Sequence, residues 1–321
     1  MASIVSHRYI PAMESSNSSI GRATLLIVVS ALSFGSISVL TVLVTKAGIP
    51  LLTAMAWRYV LGAILLLVII GVEQLGSVPR QRLIQLFLIG GLGQALITYL
   101  SLRALDYIPV GPLAFLFYTY PAWVALVAAM RRTEKLTAVR AIALTLALVG
   151  VTVMVGAPST DKLNTVGVIL ALGSALLYSV YLPSLEHIQQ GVPALVSTFV
   201  LVAGAAVTFV VAALAAHELY LPKGIPVWSN IGVLALVSTV IAFSTLIKGL
   251  SVLGPVRTAI IATVEPFFTG ILGVAVLGNQ LTIATLIGGV LIATAVLLIQ
   301  WGSTRMEAIA STRGVDGALP R

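Results

Sequence analysis

Residues 117–121 read FYTYP, and residues 262–266 read ATVEP. Both stretches sit inside long apolar runs, 145 positions apart, and each ends in a proline. A proline inside a helix removes one backbone hydrogen bond and crowds the carbonyl four residues earlier. Two such interruptions at a fixed interval read as one structural unit written twice. They differ in chemistry, because tyrosine stands before the first proline and glutamate before the second.

Composition says what surrounds them. The chain has 321 residues, of which 59% are hydrophobic and 9% charged, and its mean hydropathy is +1.10. A soluble domain carries about 25% charged residues, so this chain has too few to wet a surface. A polytopic helical membrane protein fits. The net charge of +8 does not point to nucleic acid, because the basic residues lie in short loops between apolar runs rather than on one patch. With no cysteine, disulfides, thiol catalysis and thiolate metal sites are excluded. His7, His187 and His217 fall outside the centres of the apolar runs, which argues against a buried metal site. No cofactor is expected, since the chain lacks the GxxxxGK[ST] nucleotide loop. The polar start, MASIVSHRYIPAMESSNSSIGR, is not a signal peptide, lacking the short apolar core and cleavage site.

A bilayer core needs about 20 apolar residues per helix. That length predicts ten transmembrane helices, near 23–44, 51–71, 83–102, 111–130, 139–156, 165–184, 194–216, 229–248, 256–277 and 281–301. The breaks carry turn chemistry, as in KAGIP, GSVPRQR and QQGVP. Thirteen Lys and Arg fall in the N-terminus, the even-numbered loops and the C-terminus, and four in the odd-numbered loops, with Arg58 inside helix 2. By the positive-inside rule both termini are cytoplasmic, and the expected location is a bacterial inner membrane.

Sliding the chain against itself supports the repeat. At an offset of 145, Pro121 meets Pro266, Thr137 meets Thr282, Ala114 meets Ala259 and Arg103 meets Lys248. Near 143–144, IPLLTAMA in helix 2 meets VPALVSTF in helix 7, and SALSF in helix 1 meets SALLY in helix 6. Five spans per copy is odd, so the second copy enters the membrane from the opposite side. The expected organisation is a tail at 1–22, five-helix repeats at 23–156 and 157–301, and a tail at 302–321. Inverted repeats are common in secondary transporters, with the substrate site near the midplane between halves; a duplicated membrane protein without transport is the alternative.

Over residues 23–301 the sequence resembles the drug/metabolite transporter superfamily, EamA type. The resemblance rests on ten helices in paired halves and a proline in helices 4 and 9, followed by Glu134-Lys135-Leu136-Thr137 and by Asn279-Gln280-Leu281-Thr282. The second copy departs from the charged version of this pattern. Arg58 in AWRYVLGA is similar to the arginine often found in the family's second helix. Phe34 and Tyr178 fall where the family commonly has an aromatic residue in the first helix of each half. The resemblance implies a carrier, and similarity to YddG-type amino-acid exporters is one form of it.

Glu265 is the sharpest residue-level signal. An ionisable group within a membrane span is costly and faces a cavity or partner. It can bind a substrate ammonium group or carry a proton, or it can serve as a structural glutamate between helices. Pro266 beside it frees a carbonyl one turn back, and Pro121 lets helix 4 bend. Arg58 could neutralise a substrate carboxylate, pair with Glu265, snorkel to an interface or hydrogen-bond helix-end carbonyls. Tyr99, Tyr118 and Tyr120 gather in helices 3 and 4, with Tyr178 and Tyr181 in helix 6. On a helix Tyr118 and Tyr120 point about 200° apart, so at most one faces a given pocket well. Gln94 needs a partner, either another helix or a ligand, and Ser244 is a weaker polar candidate. Gly270, Gly273, Gly288 and Gly289 mark tight packing, with a homodimer contact as one use.

The expected function is export of small amphipathic metabolites, foremost amino acids including aromatic ones, by an alternating-access carrier, with proton coupling through Glu265 as an option. Sugars, nucleosides or drugs are the alternative substrates, and a passive channel a further one. Enzyme activity is not expected: Asp106, Asp161 and Asp316 lie in loops or the tail, leaving Glu265 without a catalytic partner at depth.

Overall fold

The computed structural model describes residues 10–71, 73–104, 106–108, 113, 116–132, 137–155, 164–277, 283–284 and 286–298. The signals at 134–136 and 279–282 lie outside these residues, as do 1–9 and 299–321. The described chain is helical, with no strand among the described residues. In chain order, apart from a single turn at Glu73–Gly76, the helices are α1 (Ile10–Lys46), α2 (Leu51–Ile70), α3 (Arg80–Ala104), α4 (Tyr120–Met130), α5 (Ala138–Val155), α6 (Thr165–Gln189), α7 (Ala194–Ala215), α8 (Ile225–Ala262), α9 (Glu265–Leu277) and α10 (Leu286–Leu298). Helices of this composition pair every backbone polar group internally, which lipid demands.

Local chemistry sets the ends. Pro50, Pro79 and Pro193 stand just before α2, α3 and α7, where a missing N–H costs nothing. Gly71 closes α2 at φ 67°, a left-handed conformation that glycine adopts freely. Six helices, α1 (over Ser19–Lys46), α2, α3, α6, α7 and α8, are long and apolar enough to cross a membrane. At about 1.5 Å per residue, α8 would exceed one span if straight; Gly254 at φ 74° followed by Pro255 divides it, at the LGP stretch where the sequence predicts a break. Residues 255–262 thus begin the ninth span and α9 completes it.

The packing is that of two interlocked copies. Helix α1 lies along α8 and α9, and α6 lies along α3 and α4. Helix α2 packs on α7 and α8, and α7 on α2 and α3. Helix α5 meets α10 where a Cβ on Gly150 would stand 2.8 Å from the Gly288 carbonyl. Exchanging 1 with 6, 2 with 7, 3 with 8, 4 with 9 and 5 with 10 maps this set of neighbours onto itself. That is the signature of the inverted repeat. Both third helices also carry a π-helical turn, Leu86–Leu92 in α3 and Leu236–Ile241 in α8.

Glycines permit the closest approaches. A Cβ on Gly91 would lie 2.4 Å from Gly204 Cα, backbone against backbone, and one on Gly289 would lie 2.4 Å from the Phe267 ring. Gly288 and Gly289 are therefore used for packing within the chain. At the loops between α1 and α2 and between α7 and α8, Trp57 donates to the Tyr220 carbonyl at 2.9 Å and packs edge-on against Trp228 at 5.3 Å. Tyr220 donates in turn to the Gly48 carbonyl at 3.2 Å.

Candidate functional site: two broken helices and one carboxylate

The two opening stretches have the same local form. Residues Tyr118–Thr119 and Thr263–Val264 are turns, and a new helical segment starts immediately after each, at Tyr120-Pro121 and at Glu265-Pro266. Each proline sits at the second position of its segment, where its ring is tolerated. A threonine backs each turn: Thr119 Oγ1 donates to Leu116 O at 2.6 Å and Thr263 Oγ1 to Ile260 O at 2.7 Å, carbonyls that also accept the backbone N–H of the same threonine. The two threonines are one position out of register between the copies, so the device is shared while the residue alignment is not. Both spans are broken helices, rather than the kinked continuous helices the sequence predicts.

The breaks correct a second expectation. A helix would turn Tyr118 and Tyr120 far apart, but Tyr118 lies in the turn, and the two rings stand 6.3 Å apart. Phe117 contacts Tyr118 at 5.6 Å and Tyr120 at 5.4 Å. From α6, Tyr178 meets Tyr120 edge-on at 4.7 Å and stacks with Tyr181 at 5.9 Å. Each such pair contributes about 0.5–1.5 kcal/mol beyond area burial, so the wall is held firmly. The Tyr181 hydroxyl donates to Gly90 O at 3.2 Å, in the π turn of α3, and the Tyr120 hydroxyl to Ala259 O at 3.4 Å.

Glu265 joins this wall from the other break. Tyr118, Tyr120 and Tyr178 all lie within electrostatic range of its carboxylate. Glu265, Tyr178 and Phe117 are partly exposed, whereas Tyr118, Tyr120 and Tyr181 are buried. A carboxylate is thus presented at the edge of a tyrosine cluster formed by α4, α6 and α9. On its far side the backbone of α1 presses close: a Cβ on Gly35 would stand 3.1 Å from Glu265 O, and Thr269 Oγ1 is 3.1 Å from both Gly35 O and Glu265 O.

The remaining predicted residues separate. Phe34, next to Gly35, packs edge-on against Phe243 at 4.9 Å. Ser244 follows Phe243 in α8, and its hydroxyl is buried without a hydrogen-bond partner. Gln94 donates to Thr98 of its own helix at 3.1 Å, and Tyr99 is 40% exposed. Neither is tied to the tyrosine cluster by a described bond.

Arg58 does not pair with Glu265, and it does not snorkel. It is 1% exposed and grips the π turn of α8, donating through Nε to Thr239 Oγ1 at 2.8 Å and through Nη2 to Ser238 O at 2.6 Å. Its guanidinium also lies 4.9 Å over the Tyr59 ring. A π turn leaves carbonyls without their usual partner, and a planar fork with several donors is suited to collect them. Ser238 continues the thread, its hydroxyl 2.7 Å from that of Ser36 in α1. The sequence analysis missed Phe243, Ser238 and Thr269. Phe243 carries no sequence signal, and the other two belong to the Ser/Thr class that commonly bonds its own helix. Among the described residues no group of three His, Asp or Glu side chains is placed to hold a metal ion.

An inverted-repeat bundle with paired broken helices meeting around a polar group is the architecture of a secondary transporter. The EamA-like transporter family matches the chain twice, over residues 21–156 and 165–301. The chain belongs to that family and is a membrane transporter of the drug/metabolite transporter superfamily. No curated protein matches it. A crystal structure described only as that of a protein is similar to it in fold, with a TM-score of 0.72 and 20% identity over 89% of this chain and 98% of its own.

Proposed function

We propose that the chain exports small amphipathic amino acids, aromatic ones included, from a bacterial cytoplasm across the inner membrane, both its termini being cytoplasmic. The observation that carries this reading is the partly exposed Glu265 carboxylate set against Phe117, Tyr118, Tyr120 and Tyr178. A carboxylate complements an ammonium group, and an aromatic wall with hydroxyls complements a side chain that is apolar with a polar edge. The broken ends of the two spans add backbone groups, which in transporters of this architecture receive the charged ends of the substrate.

The neighbour relations support a particular motion. Helices α1, α8 and α9 pack together, as do α3, α4 and α6, so each rocking body draws helices from both halves. Glu265 and Tyr118 belong to different bodies, and their approach is made and lost in each cycle. Glu265 exchanges the substrate ammonium for a proton when the site is empty, giving proton coupling.

The experiment is reconstitution in liposomes with a panel of labelled amino acids, under imposed pH gradients and voltages. Saturable uptake with counterflow, strongest for aromatic and large apolar amino acids, is the expected result. Uptake that does not saturate would make the protein a channel. A blank across the panel would turn the reading towards sugars, nucleosides or drugs.

A further inference from the structure

We infer that the seam between α3 and α7 is a binding site for one anionic phospholipid, with its phosphate on Arg80 and an acyl chain in the groove beneath. A groove of about 290 Å³ is lined by Arg80, Leu83, Ile84, Phe87, Leu88 and Val200. Its origin is local. The helices touch backbone to backbone where Gly204 meets Gly91 and the Phe87 carbonyl, and the Phe87 side chain, partly exposed, stands near the start of the π-helical segment Leu86–Leu92. The seam is therefore tight from Gly91 to the Phe87 backbone and open beyond it, towards Arg80.

The groove has one polar end. Arg80 is exposed and, among the described residues, has no recorded hydrogen-bond or ion-pair partner. Arg82, two positions on, is partly buried and turns inward to Ile188 O at 3.5 Å. The first turn of α3 follows Pro79 without a side-chain cap, so its N–H groups add to the positive end. Below Arg80 the lining is apolar, and Ile84 and Leu88 are about half exposed, at 48% and 52%. A cationic head over an apolar cleft complements a molecule with an anionic head and a hydrocarbon tail. The charge distribution assigns this end to the cytoplasmic leaflet, where anionic lipid attracts juxtamembrane basic residues. A free phosphate would find the guanidinium but would leave the cleft empty.

The test uses the full-length chain purified in detergent, with phosphatidylglycerol or phosphatidylcholine of equal acyl length added and adducts read by native mass spectrometry. Wild type is expected to retain phosphatidylglycerol about fivefold over phosphatidylcholine, the scale set by one cation at an anionic surface. Arg80→Gln should erase that preference, whereas Arg82→Gln, which removes the same charge, should keep it. Val200→Trp, which fills the groove with Arg80 intact, should lower retention of both lipids. Glycerol phosphate without acyl chains should not compete. Equal retention of the two lipids by wild type, an unchanged preference in Arg80→Gln, unchanged retention in Val200→Trp, or competition by glycerol phosphate would each overturn the assignment.

Discussion

At the residue scale, the pairing of Glu265 with the neighbouring Tyr118 hydroxyl concentrates the chemistry. A hydroxyl that donates to the carboxylate during transport contributes on the order of 1.5 kcal/mol, so Tyr118→Phe should slow exchange about tenfold while leaving the aromatic contacts to Phe117 and Tyr120 in place. Initial rates of counterflow in liposomes measure it, and a rate equal to wild type would reduce Tyr118 to a packing residue. Glu265 itself was legible in the sequence, because an acid between apolar runs announces itself. Its partner was legible only as a candidate. The separation of Tyr118 from Tyr120 was misjudged on a helical premise, and the turn at Tyr118–Thr119 removes that premise. Arg58 does bond a backbone carbonyl, one of the roles its sequence allowed, but its acceptors, the Ser238 carbonyl and the Thr239 hydroxyl, are offered by a π turn that no residue pattern in LVSTVI declares rather than by a helix end.

At the element scale, the paired breaks and the glycine contacts decide the geometry. Adding a methyl group where Gly91 meets Gly204 must push two backbones apart, because the obstructing atoms cannot rotate away. Gly91→Ala should lower stability by about 1–3 kcal/mol, the usual scale for overpacking, and should be visible as a fall in the detergent melting temperature. Gly173→Ala is the control: a Cβ there meets nothing within 4 Å, and no fall is expected. If both variants melt alike, the α3–α7 contact is looser than described. The helices themselves were legible from apolar length and from proline and glycine punctuation, down to the break at Gly254. Which helices touch was not, because a lipid-facing leucine and a buried one are equally apolar, so periodicity carries little signal in a membrane.

At the scale of the whole molecule, the two copies appear as a set of neighbour relations that survives exchange of the halves. The repeat was visible in the sequence through a constant offset, and its inversion followed from the odd number of spans. The interlocking of the halves was not visible, since it rests on contacts between residues roughly 200 positions apart, such as Ser30 to Ala242 O and Ser36 to Ser238. Orientation is testable directly, because the chain has no cysteine. Single cysteines at Gln190 and Leu221, both exposed, should react with an impermeant maleimide from the cytoplasmic and the external side respectively. The reverse pattern would invert the topology. The central claim is that substrate is held by the Glu265 carboxylate where the two broken spans meet, and counterflow of a transported amino acid by Glu265→Gln, at equal protein in liposomes, tests it most directly. The account predicts exchange no faster than in protein-free liposomes, with the melting temperature retained; exchange at the wild-type rate would contradict it.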